Sequence, residues 1–301
     1  VPSLPPSFRG IVGDRLDCTA GGRRTVVVGC GQLSDFHGEE RFWESAGAAA
    51  MEAMRTLRLD SATLVGAPEA PRIVSQKAMN HFAIGATLAS YRCTAFRSKQ
   101  PASHFSVKTL EIPAPLWKGT THARHLAEAV NWSRALVDAP ANVMTPQASV
   151  SAAKELSDLG VNIKVLDRKA LEKIGAGGLL AVGRSSEHPP CMLVCEWRGR
   201  SSGPFDLGLV GKGLTFDAGG LNLKTAPAIS RMKFDMGGAA AVIGALRAIA
   251  GRRAAVNVAA VIPLCENVID ATSYRPGDVL PSLAGLTIEV DNHDAEGRIV
   301  L

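Results

Sequence analysis

Cysteine is scarce, with six in 301 residues, too few for a disulfide-stapled scaffold. Cys191 and Cys195 fall four apart in the apolar run Cys191-Met192-Leu193-Val194-Cys195, so a strand would put both on one face. No second Cys or His cluster accompanies them, which argues against a thiolate zinc site. Reduced core thiols fit better and imply a reducing compartment. The cytoplasm is expected, with the mitochondrial matrix as the alternative, since Arg outnumbers Lys and the sequence starts at Val1. No stretch looks long and apolar enough to span a bilayer, and no secretory signal opens the chain, so no membrane partner is expected. Concentrated charge is also missing. The net charge is +5, but the basic residues are scattered and cluster only in short pairs such as Arg23-Arg24 and Arg252-Arg253. Without a basic patch, nucleic acid is not an expected partner.

What is present reads as globular. Hydrophobic residues make up 46% and charged residues 20%, outside the range of disordered chains. The length suits two domains. A Pro- and Ser-rich arm covers residues 1–9. Alternating patterns then predict a strand over Thr25–Gly29, a helix over Glu39–Leu59, a strand over Ala62–Gly66 and a helix over Lys77–Phe96. This is a small α/β unit of residues 1–100. Residues 101–121 read as a linker with one strand-like run, Phe105–Ile112. A second α/β unit, 122–301, opens with a helix over His122–Val137 that stops before Pro140. It continues with a helix over Gln147–Leu159 and strands over Asn162–Leu166, Leu179–Gly183, Met192–Trp197, Phe205–Val210 and Val256–Leu264. A helix over Gly237–Ile249 and a final strand over Thr287–Val290 complete it.

The chemistry-bearing residues stand at strand ends. Lys212 and Asp217 flank a turn after the Phe205 strand. Asp235 precedes the Gly237 helix, and Asp294 and Glu296 follow the last strand. Ligands of open α/β sheets bind beyond the carboxyl ends of strands. Four carboxylates aimed at one crevice repel unless cations join them, and such oxygen-rich clusters suit pairs of Zn, Mn, Mg or Co. Taken singly, each residue has a plainer reading. Asp217 and Asp235 resemble helix caps, Lys212 and Lys224 surface residues, and the paired glycines turns. The joint arrangement is what favours a site.

Three stretches carry a family resemblance: Val210-Gly211-Lys212-Gly213-Leu214-Thr215-Phe216-Asp217-Ala218-Gly219-Gly220 with Lys224 beyond it, Met232-Lys233-Phe234-Asp235-Met236-Gly237-Gly238, and Asn292-His293-Asp294-Ala295-Glu296-Gly297-Arg298. Together they resemble the leucyl aminopeptidase (cytosol aminopeptidase) family, well over residues 120–301 and loosely before. The resemblance implies a small N-terminal, macro-like α/β domain followed by a larger α/β/α catalytic domain with a mixed, mostly parallel sheet. It implies two divalent ions, Zn or Mn first, Mg or Co otherwise. Lys212, Asp217, Asp235 and Glu296 would hold one; Asp217, Asp294 and Glu296 would hold the other. A water shared by the two metals would attack the first peptide bond of a substrate with a free N-terminus, releasing leucine-like residues. Lys224 would stabilise the oxyanion, and Arg298 would hold a bicarbonate acting as general base. A homo-hexamer is the implied assembly.

Two departures stand out. His293 occupies a position where the family usually has Thr, and its imidazole is expected to turn to solvent or cap a carbonyl. The sequence also stops at Leu301, whereas family members continue. The expectation is a catalytic domain incomplete on its C-terminal side, with an unpaired sheet edge. A separate C-terminal polypeptide or a large assembly would complete it. A second reading is thus a weak or inactive homologue serving as a structural subunit.

Overall fold

A computed structural model describes residues 4–20, 22–65, 75–101, 105–113 and 121–301. They resolve into two compact units, 1–131 and 132–301. The division falls inside a helix. The expected linker lies partly outside the described residues, as does the end of the strand expected over Ala62–Gly66.

The first unit contains β1 (Arg15–Ala20) and β2 (Arg23–Val28), an antiparallel pair, then α1 (Glu39–Thr56), β3 (Ser61–Thr63), α2 (Gln76–Ser90) and β4 (Thr109–Glu111). β3 and β4 pair in parallel. α3 (Thr121–Asp138) runs through the division between units. Helices α1 and α2 lie unusually close. A Cβ on Gly47 would sit 2.0 Å from the Phe82 carbonyl oxygen, and one on Gly85 1.9 Å from that of Glu44. Both obstacles are backbone, so no side chain can swing aside. Gly47→Ala is therefore expected to cost about 1–3 kcal/mol, the usual range for overpacking, read as a lower urea midpoint for the first unit. An unchanged midpoint would show that the two helices separate easily. A cavity of about 300 Å³ in this unit is lined by Val12, Arg15, Ala49 and Arg55, and none of the sequence-predicted site residues reaches it.

The second unit has three layers. Its elements are α4 (Pro146–Lys154), β5 (Asn162–Leu166), α5 (Arg168–Ile174), α6 (Gly177–Gly183), β6 (Cys191–Arg198), β7 (Leu207–Val210), β8 (Gly213–Asp217), α7 (Ala226–Ile229), α8 (Gly237–Gly251), β9 (Asn257–Asn267), β10 (Val279–Pro281), β11 (Thr287–Glu289) and α9 (Glu296–Val300). The central sheet runs β5-β6-β9-β7, with β8 also on β9. Strand alternation sorts its side chains to two cores. Cys191, Leu193, Cys195 and Trp197 of β6 join Val258, Ala260, Ile262 and Leu264 of β9 against α4 and α8. Met192 and Cys265 face the other way, onto α5, α6 and α9. The cysteines are free, as expected, and burial pushes the thiols of Cys191 and Cys195 up to about 11.

The α/β/α layering and the mixed sheet agree with expectation. Parallel pairing does not predominate among the described strands, however. β5–β6 and β6–β9 are antiparallel, while β7–β9 and β8–β9 are parallel. Leu179–Gly183, expected as a strand, belongs to helix α6. That helix is enclosed: a Cβ on Gly178 would meet the Ile299 carbonyl oxygen at 2.6 Å, and one on Gly183 would meet Cys265 Cβ at 2.9 Å. Buried nearly all round, it shows no polar face to betray its period. One stretch also proves apolar enough, by composition, to cross a bilayer, namely Met232–Gly251, with a mean hydropathy of 1.3. Its helical part, α8, packs Ala239, Ile243, Leu246 and Ala250 into the core on the sheet.

Candidate metal centre

β7 and β8 lie end to end along one edge of β9. Val210 pairs with Val261 and Gly213 with Leu264 in continuous register, and the break between them holds Gly211 and Lys212. The sequence suggested only a turn here, because five residues opening on glycine give a weak strand signal. The register then slips by one between Leu214 and Phe216. Such a bulge inserts one residue and reverses the faces of those that follow. Leu214 belongs to the core on the α9 side. An unbulged strand would turn Asp217 away from it. The extra residue, Thr215, brings Asp217 back toward α9, where it joins Glu296.

Asp217 ends β8 opposite Asn267, the last residue of β9. Its Oδ1 accepts from Gly219 N at 2.8 Å and from Asn267 Nδ2 at 2.9 Å. A glycine loop follows and returns to Lys224, whose amide donates to the Ala218 carbonyl at 3.0 Å. Asp235 caps the short 3-10 turn Met232–Phe234, just before α8. After β11, the Asn292 side chain caps a 3-10 turn, His293–Ala295, by accepting from Asp294 N at 2.7 Å. Glu296 then opens α9, almost wholly buried at 1% exposure.

These segments bring six of the seven predicted residues together. Ligand oxygens of Asp217, Asp294 and Glu296 lie within 4.8 Å of one another. Two ammonium groups brace the carboxylates. Lys212 Nζ lies 2.7 Å from Glu296 Oε1 and 2.9 Å from Asp235 Oδ2. Lys224 Nζ lies 2.9 Å from Asp217 Oδ2 and contacts Asp294 Oδ1. Arg298 stays apart, exposed on α9 and without an ion pair among the described residues. Gly297 leaves room for Lys212, since a Cβ there would sit 3.0 Å from its Nζ.

The electrostatics are those of a site short of positive charge. Burial raises the pKa of Glu296 against the pull of Lys212, and Asp217 adds repulsion. Burial likewise raises Asp235 despite its contact with Lys212. Burial acts to lower both lysines, but the paired carboxylates outweigh it and hold each above the usual lysine value. Glu296 Oε2 is buried with no hydrogen-bond partner, and Asp235 Oδ2 has none beyond its ion pair with Lys212. Buried carboxylate oxygens rarely go unpaired, and a cation would satisfy both. The donor set therefore fits divalent metal.

His293 corrects its expectation. It is fully buried, its ring stacks on Tyr274 with centroids 3.9 Å apart, and Nδ1 accepts from Leu221 N at 3.0 Å. It caps the Leu221 amide, its ring also meets the Arg275 backbone, and it does not face solvent. Asn222, Asn267 and Tyr274 are further residues of the site to which sequence reasoning gave no role. The one available signal was Tyr274, one of only two tyrosines.

The chain is also similar to known proteins. Residues 131–301 match the model of the cytosol aminopeptidase family, catalytic domain. A probable cytosol aminopeptidase of Rhizobium leguminosarum bv. trifolii (strain WSM2304) is 38% identical over 286 residues, covering 92% of this chain and 56% of that protein. The chain thus spans little more than half the length of this relative. Among solved structures, the bottromycin maturation enzyme BotP in complex with Mn superposes with a TM-score of 0.83 at 31% identity, over 97% of this chain and 62% of that one. A tomato leucine aminopeptidase mutant gives a TM-score of 0.80, also at 31% identity, over 98% and 58%. With a catalytic-domain match over more than half its residues and the same fold as these enzymes, the chain belongs to the cytosol aminopeptidase family.

Proposed function

We propose that the protein is a metalloaminopeptidase that removes leucine-like residues from peptides with a free N-terminus. The observation that carries this reading is the convergence of Asp217, Asp294 and Glu296 within 4.8 Å, with Lys212 joining Asp235 to Glu296. Lys212, Asp217, Asp235 and Glu296 would hold one divalent cation and Asp217, Asp294 and Glu296 a second, Zn or Mn before Mg or Co. Two such cations supply a hydrolytic nucleophile and Lewis-acid polarisation of the scissile carbonyl. Lys212 ligates only once it has lost its proton, and neighbouring cations favour that loss. Lys224 would donate hydrogen bonds to negative charge developing on the carbonyl oxygen. Arg298, with no anionic partner among the described residues, is suited to hold bicarbonate as the general base.

On this reading residues 122–301 form the catalytic domain and residues 1–100 a macro-like domain outside the chemistry, in a homo-oligomer of the hexameric kind. The relative named above is a probable cytosol aminopeptidase of a bacterium. That supports a cytoplasmic setting and lends nothing to the mitochondrial matrix. His293 no longer favours a non-catalytic subunit, because it is built into the metal loop. The test is metal content after dialysis against Mn²⁺ or Zn²⁺, together with hydrolysis of leucine p-nitroanilide. Two equivalents of metal and metal-dependent release of nitroaniline are expected. A protein that takes up no metal and leaves the substrate intact would return the structural-subunit reading to first place.

A further inference from the structure

We propose that His293 is a positioning residue, clamping the glycine loop between Asp217 and Lys224 onto the turn that carries Asp294 and Glu296. The proposal rests on the metalloaminopeptidase reading, because what the clamp holds in place is the ligand set.

The geometry is that of a fastener between two separate segments. From one side of the residue, Nδ1 accepts the Leu221 amide at 3.0 Å and the His293 amide donates to Asn222 Oδ1 at 2.9 Å. From the other, the His293 carbonyl accepts from Asn267 Nδ2 and from the Tyr274 hydroxyl, both at 3.1 Å. Asn267 Nδ2 also donates to Asp217 Oδ1. A polar path therefore runs from Asp217 through Asn267 to His293, and from His293 to the middle of the glycine loop. The next residue along is Asp294.

The imidazole suits this place for two reasons. Its flat face stacks on Tyr274 with an interplanar angle of 5°, which fixes the ring plane. Its lone pair at Nδ1 then meets the Leu221 N–H, an amide in a loop whose neighbouring side chains are exposed. The loop is shaped to receive it. Gly220 has φ +57°, and a Cβ there would stand 2.8 Å from Nδ1 and 2.9 Å from Asn267 Oδ1. The ring also interacts with the Arg275 backbone, and its hydrogen bond at Nδ1 is the one that reaches the loop. Residues that hold ligands in place, without touching the metal, set its affinity.

Two substitutions separate the clamp from mere packing. His293→Asn keeps an acceptor near the Nδ1 position, whereas His293→Phe keeps the stack on Tyr274 and removes the acceptor. Mn²⁺ affinity is measured by chelator competition on the whole chain, and amide exchange at Leu221 on the metal-free protein. His293→Phe is expected to weaken Mn²⁺ binding by about 10- to 100-fold and to speed Leu221 exchange. His293→Asn should stay close to the unaltered protein in both. Asn222→Ala, at an exposed position, opens the other half of the clamp without disturbing the core and should weaken Mn²⁺ in the same direction. It also decides the matter if His293→Phe does not fold. Unchanged affinity and unchanged Leu221 protection in His293→Phe overturn the proposal, as does unchanged affinity in Asn222→Ala. If the unaltered protein binds no Mn²⁺, the metal reading fails, and the clamp is judged on Leu221 exchange alone.

Discussion

Glu296→Gln should leave the metal-free protein at least as resistant to heat at pH 7 as the unaltered chain, while abolishing its stabilisation by Mn²⁺. The Glu296 carboxylate is buried, carries an oxygen with no hydrogen-bond partner, and is repelled by Asp217. Its pKa is raised in the fold, chiefly by burial. A carboxylate with a raised folded pKa destabilises the fold in its ionised form. That penalty is absent below the unfolded pKa and grows as pH rises through the folded one. Asp235, raised for the same reason, behaves alike, so the metal-free protein should gain stability from both groups as pH falls from neutral toward the usual carboxylate range. Glutamine can still accept from Lys212 but has no charge to desolvate. Metal at 100 times its Kd stabilises a folded protein by about 2.7 kcal/mol, and this increment should vanish with the ligand. Thermal unfolding with and without Mn²⁺ reads both effects. A metal-free variant that melts well below the parent, or one that Mn²⁺ still protects, contradicts the argument.

Lys224→Ala should retain Mn²⁺ yet lose about 100- to 1000-fold in turnover, the usual effect of removing one oxyanion donor. In the metal-free protein the ammonium occupies Asp217 and Asp294, the same carboxylates assigned to metal. Its removal takes away a competitor for them. The two contacts outweigh burial and hold its pKa above the ordinary lysine value, so the group stays charged throughout neutral pH and serves as a donor. Arg298→Ala should also keep its metal and turn over more slowly. Steady-state hydrolysis beside metal content distinguishes these effects, and an undiminished rate in Lys224→Ala would remove that residue from the chemistry.

Most of the candidate site was legible because its residues sit in short contiguous motifs. Asp294 and Glu296 stand two apart in one run, and Lys212 and Asp217 share another. β6 and β9 were legible from their length and apolar character. What escaped depends on packing between distant segments. α6 is buried nearly all round and shows no helical period. β8 is short and opens on glycine, and its bulge at Thr215 exists only relative to β9. Without that bulge, the spacing from Lys212 to Asp217 would set them on opposite faces of a strand. His293 was misjudged for the same reason. Its partners, Leu221 and Asn222, lie more than 70 positions away, and a sequence displays neighbours along the chain, not across it.

The two lysine braces span long stretches of chain. Lys212 meets Glu296 across 84 positions, and Lys224 meets Asp294 across 70. The entropy of closing a loop grows slowly with length, by about 0.6 kcal/mol for each doubling, so these contacts are affordable at equilibrium. Kinetically they are late, because contacts distant in sequence must await the pairings that bring their ends together. Here that means β8 must first dock along β9, and the β10–β11 hairpin must form before the turn at Asn292 arrives. The acidic cluster is therefore expected to be among the last features completed during folding. A partly folded chain carries the same carboxylates dispersed, so under the proposed function cation capture here would report that the second unit has reached its finished topology.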